Sequence, residues 1–125
     1  MNYTVLTNKT VKEAVQALEK SVKEHKFGIL HIHNVKETLK EKGVLFANEC
    51  QILDVCNPHK AKEMLSTDML MSMVLPCKIS VYTDNKQTKI SMIKPSKIFS
   101  QVNASLGDLA LEIEKSLKSI IDQAK

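Results

Sequence analysis

The hydrophobic positions of the chain change period several times, and each change marks an element. Tyr3 to Thr7 alternates with period two and predicts a short strand. Val11, Ala14, Val15, Leu18 and Val22 then recur at helical spacing behind a Thr10–Glu13 capping box. Lys23, His25 and Lys26 crowd the far end, where the helix dipole favours positive charge, so the first helix is predicted over Val11 to His25. Phe27 to His33 predicts a second strand, with Leu30 and Ile32 on one face and Phe27, Ile29, His31 and His33 on the other. Asn34 opens a short helix that turns Val35 and Leu39 inward and stops at Gly43. Val44 to Cys56 holds the third strand, with Leu53 and Val55 on one face and Cys50, Ile52, Asp54 and Cys56 on the other.

Asn57-Pro58 is a strong helix start, Asn at the cap and Pro in the first turn, and Ala61, Met64 and Leu65 give this third helix its apolar stripe. Met69 to Leu75 reads as a methionine-rich connector. Cys77 to Thr83 and Gln87 to Lys94 flank the turn residues Asp84, Asn85 and Lys86, which predicts a hairpin ended by Pro95. Ile98 and Phe99 are expected to tuck a loop onto the core. Ser105 is expected to open a long closing helix, with Asp108 in its first turn and a stripe of Leu106, Leu109, Ala110, Ile113, Leu117, Ile120, Ile121 and Ala124. The order β-α-β-α-β-α-β-β-α predicts one α+β domain: a mixed five-stranded sheet covered by helices, closed by a long amphipathic C-terminal helix.

Composition narrows the class. At 125 residues, 43% hydrophobic and 26% charged, the chain suits a single globular core and excludes a disordered tail. Eighteen Lys+Arg against 14 Asp+Glu give +4, but the charges are scattered, so no nucleic-acid partner is expected. The longest apolar stretch, Met69 to Leu75, is far short of the ~20 residues of a membrane span, so no membrane partner is expected either. Three cysteines are an odd set for a disulfide scaffold, and the first residues have neither a basic nor an apolar leader region. A cytoplasmic protein with reduced thiols is expected.

The densest group of unusual residues is Cys56, Asn57, Pro58 and His59, where a strand gives way to a helix. A thiol at a helix N-terminus can have a depressed pKa, and His59 is placed to orient or deprotonate it. The plainer reading makes Cys56 a small buried residue and Asn-Pro a capping device, and it is the preferred one. Pro76 and Cys77 open the next strand. Whether Cys77 meets Cys56 depends on strand direction, which the spacing leaves open. His31 and His33 on one strand face, and Met69, Met71 and Met73 beside Cys77, have the flavour of metal ligands. Two histidines do not make a site, and methionines more often fill cores, so no metal is assigned. No nucleotide-binding, hydrolase or zinc motif occurs, and no cofactor or catalytic residue is named.

Leu53-Asp54-Val55-Cys56-Asn57-Pro58-x-x-Ala61, followed by a helix and Leu75-Pro76-Cys77-Lys78-Ile79-x-Val81-Tyr82, resembles the bacterial and archaeal domain of unknown function 302 family over nearly the whole chain. The family pattern places a Gly shortly before Leu-Pro-Cys, where this chain has Met71-Ser72-Met73-Val74. The resemblance implies a compact α+β domain and self-association, and it implies no particular activity. Its motif falls on Cys56, Asn57, Pro58, Ala61, Pro76 and Cys77.

Two function classes follow. The favoured one is a binding module: a small-molecule pocket at the junction of strand three and helix three, lined by Cys56, Asn57, Pro58, His59, Pro76 and Cys77, or a self-associating surface. The alternative is thiol-based redox, sulfur-handling or soft-metal chemistry at Cys56 and Cys77. A homodimer is expected, because an open five-stranded sheet leaves two edges free.

Overall fold

The computed structural model describes residues 1–125. Five strands, β1 (Asn2–Thr7), β2 (Gly28–Asn34), β3 (Cys50–Cys56), β4 (Cys77–Asp84) and β5 (Gln87–Ile93), form one sheet in the order β1-β5-β4-β3-β2. Five helices accompany it: α1 (Val11–Glu24), α2 (Val35–Glu41), α3 (Pro58–Thr67), α4 (Pro95–Val102) and α5 (Gly107–Ala124). Short 3-10 turns at Met69–Met73 and Ala104–Leu106 lead into β4 and α5.

Every strand pair is antiparallel, which corrects the expected mixed sheet. The decisive crossing is between β3 and β4. The ten residues of α3 and the 3-10 turn after it carry the chain out and back, so β4 runs down beside β3 with Val55 opposite Cys77.

The inner face of the sheet carries Val5, Leu53, Val55, Ile79, Val81, Ile90 and Met92, all buried beneath the helices. The α5 stripe supplies Leu109, Ala110, Ile113, Leu117, Ile120, Ile121 and Ala124, as its periodicity requires. Helix α1 packs beside it, and Ser21 on α1 donates its hydroxyl to the Ile120 carbonyl at 2.8 Å. The Thr10–Glu13 capping box forms as predicted.

Strand β2 departs from simple alternation. Its register slips between Ile29 and His31, leaving Leu30 as a bulge residue. Ile29 therefore joins Ile32 on the inner face, not His31 and His33 on the outer one, because an extra residue reverses the side-chain parity. His31 and His33 remain on the outer face with ring centroids 4.2 Å apart.

Two further expectations are corrected. The segment after Pro95 is helix α4, not a loop: Pro95 ends β5 and also begins the helix, and buried Phe99 anchors it. Helix α5 begins at Gly107. The Asn103 side chain accepts from the Ser105 amide and starts the 3-10 turn that precedes it.

Candidate functional site

β3 ends at Cys56, and Asn57 turns the chain into α3. The Asn57 Oδ1 accepts from the His59 and Lys60 amides at 3.1 and 3.2 Å, the expected helix cap. On the neighbouring strand, Leu75 and Pro76, joined by a cis peptide, lead into Cys77. The Val55–Cys77 pairing sets these two segments side by side at one end of the sheet.

Between them lies a partly open cavity of about 250 Å³. Cys56, Asn57, Pro76 and Cys77 line it, so four of the six residues singled out from the sequence converge there. Pro58 and His59 do not. Both are exposed and lie outside the cavity, because the first turn of α3 points them to solvent. Of the rest of the lining, Ala61 is a motif position, and the others are residues that their spacing marked only as core or surface. Phe27, Val55, Met64, Leu65, Leu75 and Ile113 make an apolar wall, while Leu30, Lys60, Ala61 and Ser72 complete the rim. The bulge that makes Leu30 the extra residue of β2 is the one local feature bearing on its place there.

A second apolar cavity of about 220 Å³ lies on the other side of Leu75, Pro76 and Cys77. It is bounded by Ile98 and Phe99 of α4 and Leu117 of α5. The Leu-Pro-Cys segment is thus a partition with an apolar space on each side.

The surroundings of the thiols disfavour the thiolate form. Burial raises Cys56 above the ordinary thiol range, the reverse of what a helix N-terminus alone would do. Burial pushes Cys77 up to about 12, and the neighbouring Cys56 adds to the rise. Cys50 lies at the far end of β3, opposite Tyr82 on the outer face, and is also raised by burial. All three cysteines are free.

The other metal-flavoured groups are dispersed or engaged. Met71 is fully buried while Met69 and Met73 face solvent, so the methionine run divides between core and surface. His33 and Lys78 both contact Asp54, at 3.1 and 2.5 Å. The Lys78 hydrogen bond, with His33 assisting against the opposing effect of burial, holds the Asp54 carboxyl below the usual range. No three His, Cys, Asp or Glu side chains cluster as metal ligands would. No helix is long and apolar enough to cross a membrane.

No curated protein matches the chain. The fold is similar to the crystal structure of an uncharacterized conserved protein DUF302 from Bacillus stearothermophilus, with a TM-score of 0.94 and 38% sequence identity. That match covers 99% of this chain and 98% of the other. The family described as "Domain of unknown function DUF302" matches residues 3–124. With Cys56-Asn57 and Leu75-Pro76-Cys77 of its two motifs now seen as walls of one cavity, the chain belongs to the DUF302 family.

Proposed function

We propose that the protein is a small-molecule binding module whose ligand enters the cavity between the β3–α3 junction and the Leu75–Cys77 segment. The observation that carries this reading is the cavity itself: about 250 Å³, walled by apolar side chains and bordered by a few polar groups. Apolar walls with few polar groups are the usual make-up of small-ligand sites. An engineered apolar cavity of about 150 Å³ takes up benzene, so the space suffices for a somewhat larger body. The raised thiols weigh against Cys56 and Cys77 as nucleophiles and suit them to lining a dry wall.

Titration with indole and with octan-1-ol, followed by amide chemical shifts, tests the reading. Shifts should concentrate at Phe27, Cys56, Ala61 and Cys77. Ala61→Leu, which fills the space from α3, should abolish them while leaving the melting temperature unchanged or raised. Absence of any saturable shift with either probe would refute the cavity as a binding site.

Self-association is a second reading, favoured by one surface. Helix α2 buries none of its residues, and the loop after it exposes Val44, Leu45 and Phe46, with Leu45 88% exposed. Contiguous exposed apolar residues mark interaction surfaces. Strands β1 and β2 also leave both sheet edges open. A homodimer with twice the 14.0 kDa chain mass should appear in light scattering and revert to 14.0 kDa in Leu45→Glu. A wild-type mass of 14.0 kDa at high concentration would refute it. The unpaired thiols support a reducing, cytoplasmic location for the same protein.

A further inference from the structure

We infer that the cavity selects a carboxylate: its ligand is a small amphiphile with an apolar body and a single negative charge. This rests on the cavity being a binding site and adds the chemistry of its occupant. Among the lining residues Lys60 alone carries a charge, and no acidic side chain lines the space.

The other polar side chains at the rim carry donors that have no partner within the chain. The Asn57 side chain uses Oδ1 to cap α3, and its Nδ2 makes no hydrogen bond within the chain. The Ser72 hydroxyl is exposed and makes none either. Lys60 Nζ has one partner, Glu112 at 3.0 Å, whose side chain is 63% exposed. An ion pair so open to water is weak, and it yields readily to a competitor. A carboxylate anchored by its apolar body beside Lys60 is held in place at high effective concentration, which the solvent-exposed Glu112 side chain does not match.

The charge count favours a monoanion. One ammonium group neutralises one carboxylate, whereas a dianionic phosphate would leave a charge unpaired beside an apolar wall. The volume sets the size of the body. Space for more than a benzene ring, which a cavity of about 150 Å³ takes up, corresponds to a body of roughly six to ten carbons. An eight-carbon chain with a terminal carboxylate satisfies both conditions.

Calorimetric titration of the intact protein with octanoate, octan-1-ol and octylammonium at neutral pH tests the inference, since the three probes have eight carbons each and differ in head-group charge. Octanoate should bind about tenfold more tightly than octan-1-ol, the worth of one charge-assisted hydrogen bond, and octylammonium more weakly than both. Lys60→Met should remove the preference for octanoate and leave octan-1-ol binding in place. Glu112→Gln, which frees Lys60, should strengthen octanoate binding. Equal or tighter binding of octan-1-ol by the wild-type protein would overturn the carboxylate assignment while leaving the binding module standing. Failure of all three probes to bind would overturn both. The wild-type comparison alone decides the matter if Lys60→Met does not fold.

Discussion

Ser96 and Glu114 are joined twice: the Ser96 hydroxyl and backbone amide both donate to Glu114 Oε1, at 2.5 and 3.0 Å. Helix α4 has Lys94 at its cap position and no side-chain cap of its own. Glu114, from the middle of α5, supplies the missing acceptor and fixes α4 against α5. It is the one charged residue among the buried set, and Lys118 lies 3.5 Å from its second oxygen.

Removal of that acceptor leaves a half-buried amide and hydroxyl unmatched, so Glu114→Ala should lower stability by about 1–3 kcal/mol. Burial pushes the Glu114 carboxyl up, but the Ser96 bonds and Lys118 outweigh it, and the net shift is downward from 4.5. A depressed carboxyl contributes stability above its unfolded value, and that contribution is lost as pH falls through the folded one. Unfolding midpoints followed from neutral pH to below 4 should fall more steeply for the wild-type chain than for Glu114→Gln, with the difference arising below the ordinary glutamate range. Parallel curves for the two would show that Glu114 carries no such linkage.

The same contact explains which elements could be read from the sequence. Helices α1, α2 and α3 announce themselves locally, with Thr10, Asn34 and Asn57 each capping from the adjoining residue. Helix α4 borrows its cap from a residue eighteen positions away, so its short stretch after Pro95 reads as a loop. Likewise, Leu30 and the β2 bulge depend on pairing with β3, and strand direction depends on how α3 and the 3-10 turn fold back. These are long-range facts that period and spacing do not hold. The candidate site divides in the same way. Cys56, Asn57, Pro76 and Cys77 stand out by type and junction, while Lys60, Ser72 and Ile113 look like ordinary surface or core positions until three elements meet around them.

Helix α1 ends in a left-handed residue that is not glycine. Lys26 has φ 62°, with its amide bonded to the Lys23 carbonyl and that of Phe27 to Val22. The same paired closure ends α2, where Gly43 occupies the left-handed position at φ 79°. A side chain in that region costs energy that glycine avoids, so Lys26→Gly should raise stability by about 1 kcal/mol. Urea unfolding should show a higher midpoint at unchanged slope. A lower midpoint would mean that the Lys26 side chain contributes more than its backbone strain costs.

Ile113 and Leu117 face different cavities from one stripe of α5. Ile113 borders the space beside Cys56, and Leu117 the space beside Phe99. Either truncation to alanine should cost about 2–5 kcal/mol, because each enlarges a void that the sheet cannot close. Only Ile113→Ala should also change the binding of octan-1-ol. A midpoint unmoved by both substitutions would contradict their burial.

Cys77 gives the last prediction, since its environment makes it both slow to react and sensitive to alkali. In the unfolded chain a thiol ionises near 9, whereas in the folded protein Cys77 holds its proton until about 12. The unfolded state therefore releases the proton first, and stability should fall as pH rises between those values. The loss should be smaller in Cys77→Val, which has no proton to release and keeps the wall apolar. Alkylation tests the same physics by rate, because the thiolate is the nucleophile. At neutral pH, iodoacetamide should label Cys77 far more slowly in the native state than in urea, and bound octan-1-ol should slow it further by filling the space in front of the sulfur. Rapid native-state labelling of Cys77, with a rate that levels off below pH 9, would mean an ionised, accessible thiol and would restore the case for chemistry at the Cys56–Cys77 wall.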